Sequence, residues 1–511
     1  MWKVLVANRG EIAIRIFRSA IELGWQTVAL YTNDDASHTA YADEVVLLDS
    51  PSQYMDPEHL VQIAHRTKCT HVHPGYGFLS EDPRLASLLS HTNITFVGPS
   101  EEGLKISSNK MLSREFAASL GLSIAPGGRV SSAADVRRFV GTMGSQPFPV
   151  IIKALDGGGG RGIRVVHGGP EIEGAFDRFQ KMVEIAPSTL PEEVVRPLLA
   201  AALDMARHLR YSGLGTFEFL VNSQSHEWVF MEINPRIQVE HTITEEIMNL
   251  DLVRIQLLLS IPGTSLADVL PQHARTPLPP RGYAIQLRLI AEDPRQSFKL
   301  STGHFTPSTF SWPSGRGVRV DTWLTTGPSN MEPLQEYLIG TDFDSLLAKL
   351  IVHGDTHEEA RSRALRALGE VRIPPDLKTN VNMLAGVMKH PHWKHGKVHT
   401  TWLESHFEEV MDFGQKSALG HPYHSLSPTP LAFNLTQLSS FASSSQLEFA
   451  NPQESTHVAS PLAGKIVELH PALLAPAGSE HVVRRGETLA VVSVMKMENV
   501  ISAPSSGKAK L

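Results

Sequence analysis

Among 511 residues there is one cysteine, Cys69, a count that excludes an intramolecular disulfide framework and fits a reducing compartment. Cys69 sits between a basic stretch and a strand, where it reads as a small structural hydrophobe. No apolar run is long enough to span a bilayer, so no membrane partner is expected. Positive charge is not in excess: 46 Lys and Arg against 53 Asp and Glu leave a net charge of −7, which offers no electrostatic footprint for nucleic acid. An apolar strand begins almost at Met1, so no leader is expected ahead of it and the cytoplasm is the expected location. What is present is an ordinary globular composition, 41% hydrophobic and 19% charged, over a length that calls for several domains.

Apolar periodicity alternates along the first hundred residues. Strands are expected at 3–7, 28–31, 70–73 and 94–97, with helices at 10–23, 57–67 and 82–90. This is the pattern of a doubly wound parallel α/β domain, 1–104, whose glycine-bearing loops follow strands, where such sheets place ligands. A second region, 105–279, holds a helix at 109–120, a strand at 148–154 and strands around 215–221 and 228–234. A third, 280–405, mixes strands at 284–290 and 346–353 with a helix at 356–369, an α+β pattern. That helix carries Glu358, Glu359, Arg361, Arg363 and Arg366, read as a solvated face. Residues 406–455, rich in Ser, Pro and Gln, read as a flexible linker, and 456–511 as a small β-type domain.

Three stretches carry chemistry. Strand 148–154 brings Lys153 to the mouth of Gly157-Gly158-Gly159-Gly160-Arg161-Gly162. Successive glycines leave backbone amides open to phosphate oxygens, and the lysine adds a cation; flexible hairpins also use such runs. The absence of a Gly-Lys-Ser/Thr ending excludes a Walker-type loop. Next, polar residues occupy every even position from Glu232 to Glu240, so an extended chain sets Glu232, Asn234, Arg236, Gln238 and Glu240 on one face. The plain alternative is an edge strand facing water, but Pro235 breaks the ladder. Glu218, isolated between Phe217 and Phe219, joins Glu232 and Asn234 in an all-oxygen set suited to Mg²⁺ (or Mn²⁺). Last, Met495-Lys496-Met497 suits a hairpin tip that presents one lysine. Pro461-Leu462-Ala463-Gly464-Lys465 recurs 43 residues on as Pro504-Ser505-Ser506-Gly507-Lys508, so the tail reads as an internal duplication around that tip. His71 and His73 have a spacing that a metal tolerates, yet a strand end beside a loop explains them as well.

Together Ala7-Asn8-Arg9-Gly10-Glu11-Ile12-Ala13, His73 through Glu81, the glycine loop and Glu232 through His241 resemble the biotin carboxylase component of acyl-CoA, pyruvate and urea carboxylases, an ATP-grasp fold. The tail resembles a biotinyl carrier domain. The resemblance implies an ATP- and bicarbonate-dependent ligase acting on biotin borne by Lys496. It implies that Lys110, Lys153, Gly157, Gly158, Gly159, Gly160 and Gly162 meet ATP. It makes Glu218, Glu232 and Asn234 the metal set, with the two glutamates also at the nucleotide. Lys181, Arg236, Gln238 and the backbone of Val239 become a bicarbonate cradle, Glu240 the base, and Arg288 the arginine that steadies the biotin enolate. Lys181, Arg236, Glu240 and Arg288 are thus the expected catalytic set.

Two departures from the family pattern stand out. Gly162 and Gln180 are only 18 positions apart, a shortened lid, and Phe179 replaces the family's histidine. The second Pro-x-x-Gly-Lys is followed closely by Leu511, so the carrier domain reads as C-terminally truncated. No carboxyltransferase motif is recognised, so a separate carboxyltransferase chain, a biotin protein ligase and a homodimer mate are the expected partners. A non-catalytic relative that keeps the scaffold, and another ATP-grasp ligase of the carbamoyl-phosphate type, stand as alternatives.

Overall fold

Lys3–Val6 (β1) is buried along its whole length, as its apolar run Val4–Val6, covered on both faces, should be. It pairs in parallel with Gln26–Tyr31 (β2) and with His71–His73 (β4), while Glu44–Leu47 (β3) and Thr95–Phe96 (β5) complete a sheet of order β3-β2-β1-β4-β5. Helix Gly10–Glu22 (α1) lays Ile12, Ala13, Ile16, Phe17 and Ala20 into the core against Val4 and Val6. Helices Pro57–Arg66 (α2) and Pro83–Ser90 (α3) follow, both opened by an Asp cap and a proline. β3 escaped the sequence reading because it is the sheet edge: Val45 and Leu47 are about half exposed, so no buried periodicity marks it.

The computed structural model describes residues 1–127, 133–143, 150–153, 163–166, 182–270, 279–325, 336–399 and 402–418, and in the tail 465–470, 473, 482–484, 487–494, 497–503 and 507–508. Two compact units make up the chain: Met1–Arg288 with Pro313–Gln335 and Ala348–Ala367, and a second of Leu289–Trp312, Glu336–Leu347 and Leu368–Leu511.

In the first unit, the strand order reverses between β1 and β4, the switch point of a doubly wound sheet. One side chain clasps the two loops there: Asn8 Nδ2 donates to Pro74 O and Tyr76 O, each at 2.8 Å. Gly75 is required at this spot, since its φ is +64° and an added Cβ would lie 2.7 Å from Asn8 Nδ2. Beyond the sheet, Glu101–Ser108 (α4) and Lys110–Ser119 (α5) lead to Ala133–Gly141 (α6) and a hairpin of Val150–Lys153 (β6) with Ile163–Val166 (β7). Val183–Ala186 (β8) and Glu192–His208 (α7) precede a second hairpin, Thr216–Val221 (β9) with Trp228–Asn234 (β10). Phe217, Phe219, Phe230 and Ile233 pack with Ala117 and Met205 on the covered side of that hairpin. Helices His241–Met248 (α8), Leu252–Leu259 (α9) and Leu266–Val269 (α10) follow, and Tyr283–Ile290 (β11) pairs with β8.

In the second unit, short antiparallel pairs join Glu292–Asp293 (β12) to Lys299–Leu300 (β13) and Gly303–Phe305 (β14) to Tyr337–Ile339 (β16). Val318–Thr322 (β15) returns to the first unit, where it pairs with the part of Leu346–Gly354 (β17) from Ala348 onward. His357–Glu370 (α11) follows and carries Glu358–Arg361 and Glu359–Arg363 ion pairs one turn apart, as expected of a solvated charged face.

The expected linker needs correction at its start. Phe407–Ala418 is a helix packed on Val381–Lys389, with Val410 and Met411 buried. Contact is so close that a Cβ on Gly386 would meet Val410 O at 1.8 Å, and one on Gly414 would meet Asn382 O at 2.1 Å. Serine-rich composition further along hid this amphipathic stretch. Residues 419–455, the rest of the linker, lie outside the described residues.

His71 and His73 are fully buried packing residues. The His71 ring lies against Trp25, and His73 Nδ1 accepts from Gly75 N while Nε2 donates to Gln256 Oε1 at 3.1 Å. Burial holds both in the neutral form, with pKa values lowered to about 4 for His71 and about 3 for His73. A group depressed in the folded state costs nothing above its unfolded pKa of ~6.5 and destabilises progressively as pH falls below it. Urea midpoints measured from pH 7 to pH 4 should therefore decline less steeply in His73→Gln than in the wild type; equal slopes would refute the assignment.

Candidate active site

The β9–β10 hairpin sets Glu218 directly opposite Glu232, so the two carboxylates share one face, away from the covered phenylalanines. Asn234 ends the strand, is buried, and donates through Nδ2 to Glu218 Oε1 at 3.1 Å. Among the described residues no group of three or more His, Cys, Asp or Glu gathers for a metal. Two carboxylates and an amide are still an all-oxygen set, which fits a hard ion that keeps water and phosphate oxygens as its other ligands.

The strand does not continue to Glu240. Pro235 stops it, and the extended face expected for five alternate residues ends at Asn234. From there the chain turns: Arg236 N donates to Asn234 O, His241 N to Gln238 O, and Glu240 occupies the cap position of α8. Arg236, Gln238 and Glu240 are thus placed by a turn and a helix start rather than by strand alternation. Arg236 is buried and its Nε donates to Glu81 Oε1 at 2.6 Å, an anchor in the loop after β4. Gln238 is buried with its Nε2 lacking any partner. A buried amide donor with no acceptor is costly and marks a place where an anion or water would complete the set.

Beneath this turn lies a lysine with no exposed surface. Lys349 of β17 donates to Val239 O at 3.4 Å and pairs with Glu11 Oε2 at 3.0 Å and Asp321 Oδ2 at 3.6 Å. Burial alone would raise Asp321, but Lys349 and Arg319 outweigh it and hold the carboxylate well below its usual range. Arg319 binds Asp321 through two nitrogens, each at 2.9 Å, and reaches Glu245 at 2.8 Å. Arg15 of α1 also binds Glu245, at 2.8 Å, and Tyr76 donates to Glu11.

Arg288, on β11, closes the other side. Its Nη2 lies 3.0 Å from Glu240 Oε2 and pairs as well with Glu184 of β8. Burial pushes the Glu184 carboxyl up, Arg288 draws it back and Glu240 pushes it further up, leaving it above the usual range.

Of the other expected residues, Lys110 opens α5 behind the Asn109 cap and Lys153 closes β6. Gly157 through Gly162, Lys181 and Lys496 lie outside the described residues. Val494 of Thr488–Val494 is registered with Met497 of Met497–Ser502 in an antiparallel pair. Sequence reading missed Glu184, Lys349, Asp321 and Glu245, and quoted Glu11 and Glu81 only as parts of motifs. Glu184 and Lys349 each had a visible signal, a lone charge inside an apolar strand.

Lys349→Met leaves Glu11 and Asp321 buried without their cation. The variant should lose about 3–5 kcal/mol in urea denaturation, and a loss under about 1 kcal/mol would contradict the network described here.

Comparison with known proteins comes to the same region. Residues 1–104 match the biotin carboxylase N-terminal domain, and 109–178 and 174–268 match the ATP-binding domain of the carbamoyl-phosphate synthase L chain. Residues 286–405 match the biotin carboxylase C-terminal domain, and 456–511 the biotin-requiring enzyme family. Curated relatives include a pyruvate carboxylase of Aspergillus niger, 35% identical over 79% of this chain and 37% of the relative. Another is that of Bacillus subtilis (strain 168), 35% identical over 82% of this chain and 40% of the relative. The chain thus spans about two fifths of the length of these relatives. Among solved structures, the biotin carboxylase domain of a single-chain bacterial carboxylase is 32% identical, with TM-score 0.68, covering 82% of this chain and 100% of that one. The biotin carboxylase domain dimer of Hydrogenobacter thermophilus 2-oxoglutarate carboxylase, in complex with MgADP, ADP and bicarbonate, is 31% identical, with TM-score 0.70 and coverage of 80% and 98%.

Proposed function

The chain belongs to the biotin carboxylase family, and we propose that it uses ATP and bicarbonate to carboxylate biotin carried on its own Lys496. One observation carries the reading: buried Arg236, the unpartnered Gln238 Nε2 and Glu240 follow one another on the short segment after β10, and Arg288 of β11 pairs with Glu240, so donors and a base share one stretch of chain. Bicarbonate is planar and anionic, so a guanidinium and an amide can hold it while Glu240 takes its proton. The resulting carbonate oxygen attacks the γ-phosphate of ATP to give carboxyphosphate and ADP. Glu218, Glu232 and Asn234 would hold Mg²⁺, which supplies charge neutralisation at the phosphates. Lys110, Lys153 and the glycine run 157–162 would bind the nucleotide, and Lys181 would join the bicarbonate cradle. Biotin, when bound, supplies the ring nitrogen that accepts the carboxyl group. Arg288, held between two carboxylates, would orient the acceptor.

The chain then divides into a doubly wound domain (1–104), an ATP-grasp domain (105–279) with a shortened lid, an α+β domain (280–405), a connecting segment and a carrier (456–511). That the ATP-binding match comes in two segments meeting at 174–178 supports the shortened lid. A separate chain would supply the carboxyl acceptor's active site, and a biotin protein ligase would load Lys496. The dimeric state of the related 2-oxoglutarate carboxylase domain supports a homodimer here. Among the described residues no helix is long and apolar enough to cross a membrane, and the buried single cysteine supports a reducing location such as the cytosol. The biotin-requiring match at 456–511 favours this reading over another ATP-grasp ligase.

Purified full-length protein, co-expressed with a biotin ligase, should bind streptavidin, and Lys496→Arg should not. With free biotin it should release ADP in a bicarbonate-dependent way. Glu240→Gln and Arg236→Ala should each lower that rate by roughly 10²-fold or more. No bicarbonate-dependent ADP under any condition would favour a non-catalytic relative.

A further inference from the structure

Arg288 serves two carboxylates at once, and only one of them has a role so far. Glu184 and Arg288 each expose 10% of their side chain, and Glu184 stands directly across β8–β11 from Gln286. Gln286 Nε2 donates to Glu184 Oε2 at 3.1 Å, and Gln286 Oε1 accepts from Thr242 Oγ1 at 2.5 Å. Thr242 lies on the first turn of α8, two residues past Glu240. The contacts therefore close a ring from Glu240 through Arg288, Glu184, Gln286 and Thr242, back to the helix that Glu240 caps. The charged groups acting on Glu184 are Arg288 from β11 and Glu240 from the head of α8; Tyr76 acts on Arg288 from the loop after β4.

A buried guanidinium needs a counter-ion, and one carboxylate would suffice. If Glu240 were that carboxylate alone, the full cation would stabilise its charged form and weaken it as a base. With Glu184 sharing the cation, Glu240 keeps part of its basicity, and the guanidinium is fixed from two sides. We infer that Glu184 is a positioning residue for carboxylation, dividing the charge of Arg288 so that Glu240 remains a competent base. The step it serves is balanced: the O–H bond of bicarbonate breaks, its proton goes to a Glu240 oxygen, and the electron pair stays on the carbonate oxygen that attacks phosphorus. The inference rests on the reading of Glu240 as the base.

The test uses the full chain with free biotin, following ADP release against pH. Glu184→Gln keeps the shape and removes the charge. Its acid limb of kcat/KM for bicarbonate should move down by roughly one pH unit, since a like charge near the base has gone. The rate above the limb should fall roughly tenfold, as expected for a weaker base, with KM for ATP unchanged. Glu184→Asp should return the limb toward the wild-type position. A limb that stays in place while the rate falls, or an equal rise in KM for every substrate, would mean a merely structural part and would overturn the proposal. Denaturation midpoints of Glu184→Gln, Glu240→Gln and the double variant give a second readout that needs no turnover. Coupling through Arg288 makes them non-additive, whereas additive shifts overturn the proposal even in an active enzyme. A wild type without bicarbonate-dependent turnover, beside a non-additive cycle, would overturn the base assignment of Glu240 instead.

Discussion

A lysine ammonium sealed from water is the constraint on which the site rests. Lys349 has no exposed surface, so its charge is tolerable only because Glu11, Asp321 and the carbonyl of Val239 surround it. Those partners come from α1, from β15 and from the turn after β10. One charge therefore registers segments separated by more than three hundred positions. Because the carbonyl of Val239 is one of the three acceptors, a shift of the Val239 peptide would take one of them from the buried ammonium.

Around that anchor the remaining charges are arranged in pairs that span different elements. Arg236 reaches Glu81, Arg288 reaches Glu240 and Glu184, and Arg15 and Arg319 converge on Glu245. Each arginine is thus held by a carboxylate before any substrate arrives. Such preorganisation lets donors act on a developing charge without first reorganising. Gln238 Nε2, left without a partner, is the exception that a bound anion would satisfy.

Much of the architecture could be read from residues in a row. The doubly wound N-terminal sheet followed from the strands read at 3–7 and 28–31 and from an amphipathic α1, because burial on both faces favours a run of apolar residues. Glu218 between Phe217 and Phe219 faces Glu232 as alternation requires. Edge strand β3 was invisible because it is half in water, and the helix at Phe407–Ala418 was masked by the polar stretch that follows it.

By itself the sequence offered side chains of the types that suit an anion, a metal and a nucleotide, and it offered the strand pairing seen between Thr488–Val494 and Met497–Ser502. Those properties depend on residue type and on near-neighbour spacing, which a chain carries without folding. Pro235 announced a break in the strand, but only the structure showed that a helix start would carry Glu240. Only the fold could bring Glu81 to Arg236, Lys349 beneath Val239, and Glu184 to the far side of Arg288. Ion pairs across such separations have no local signature: each lone charge in an apolar strand announces that it needs a partner, and only packing says which one it finds.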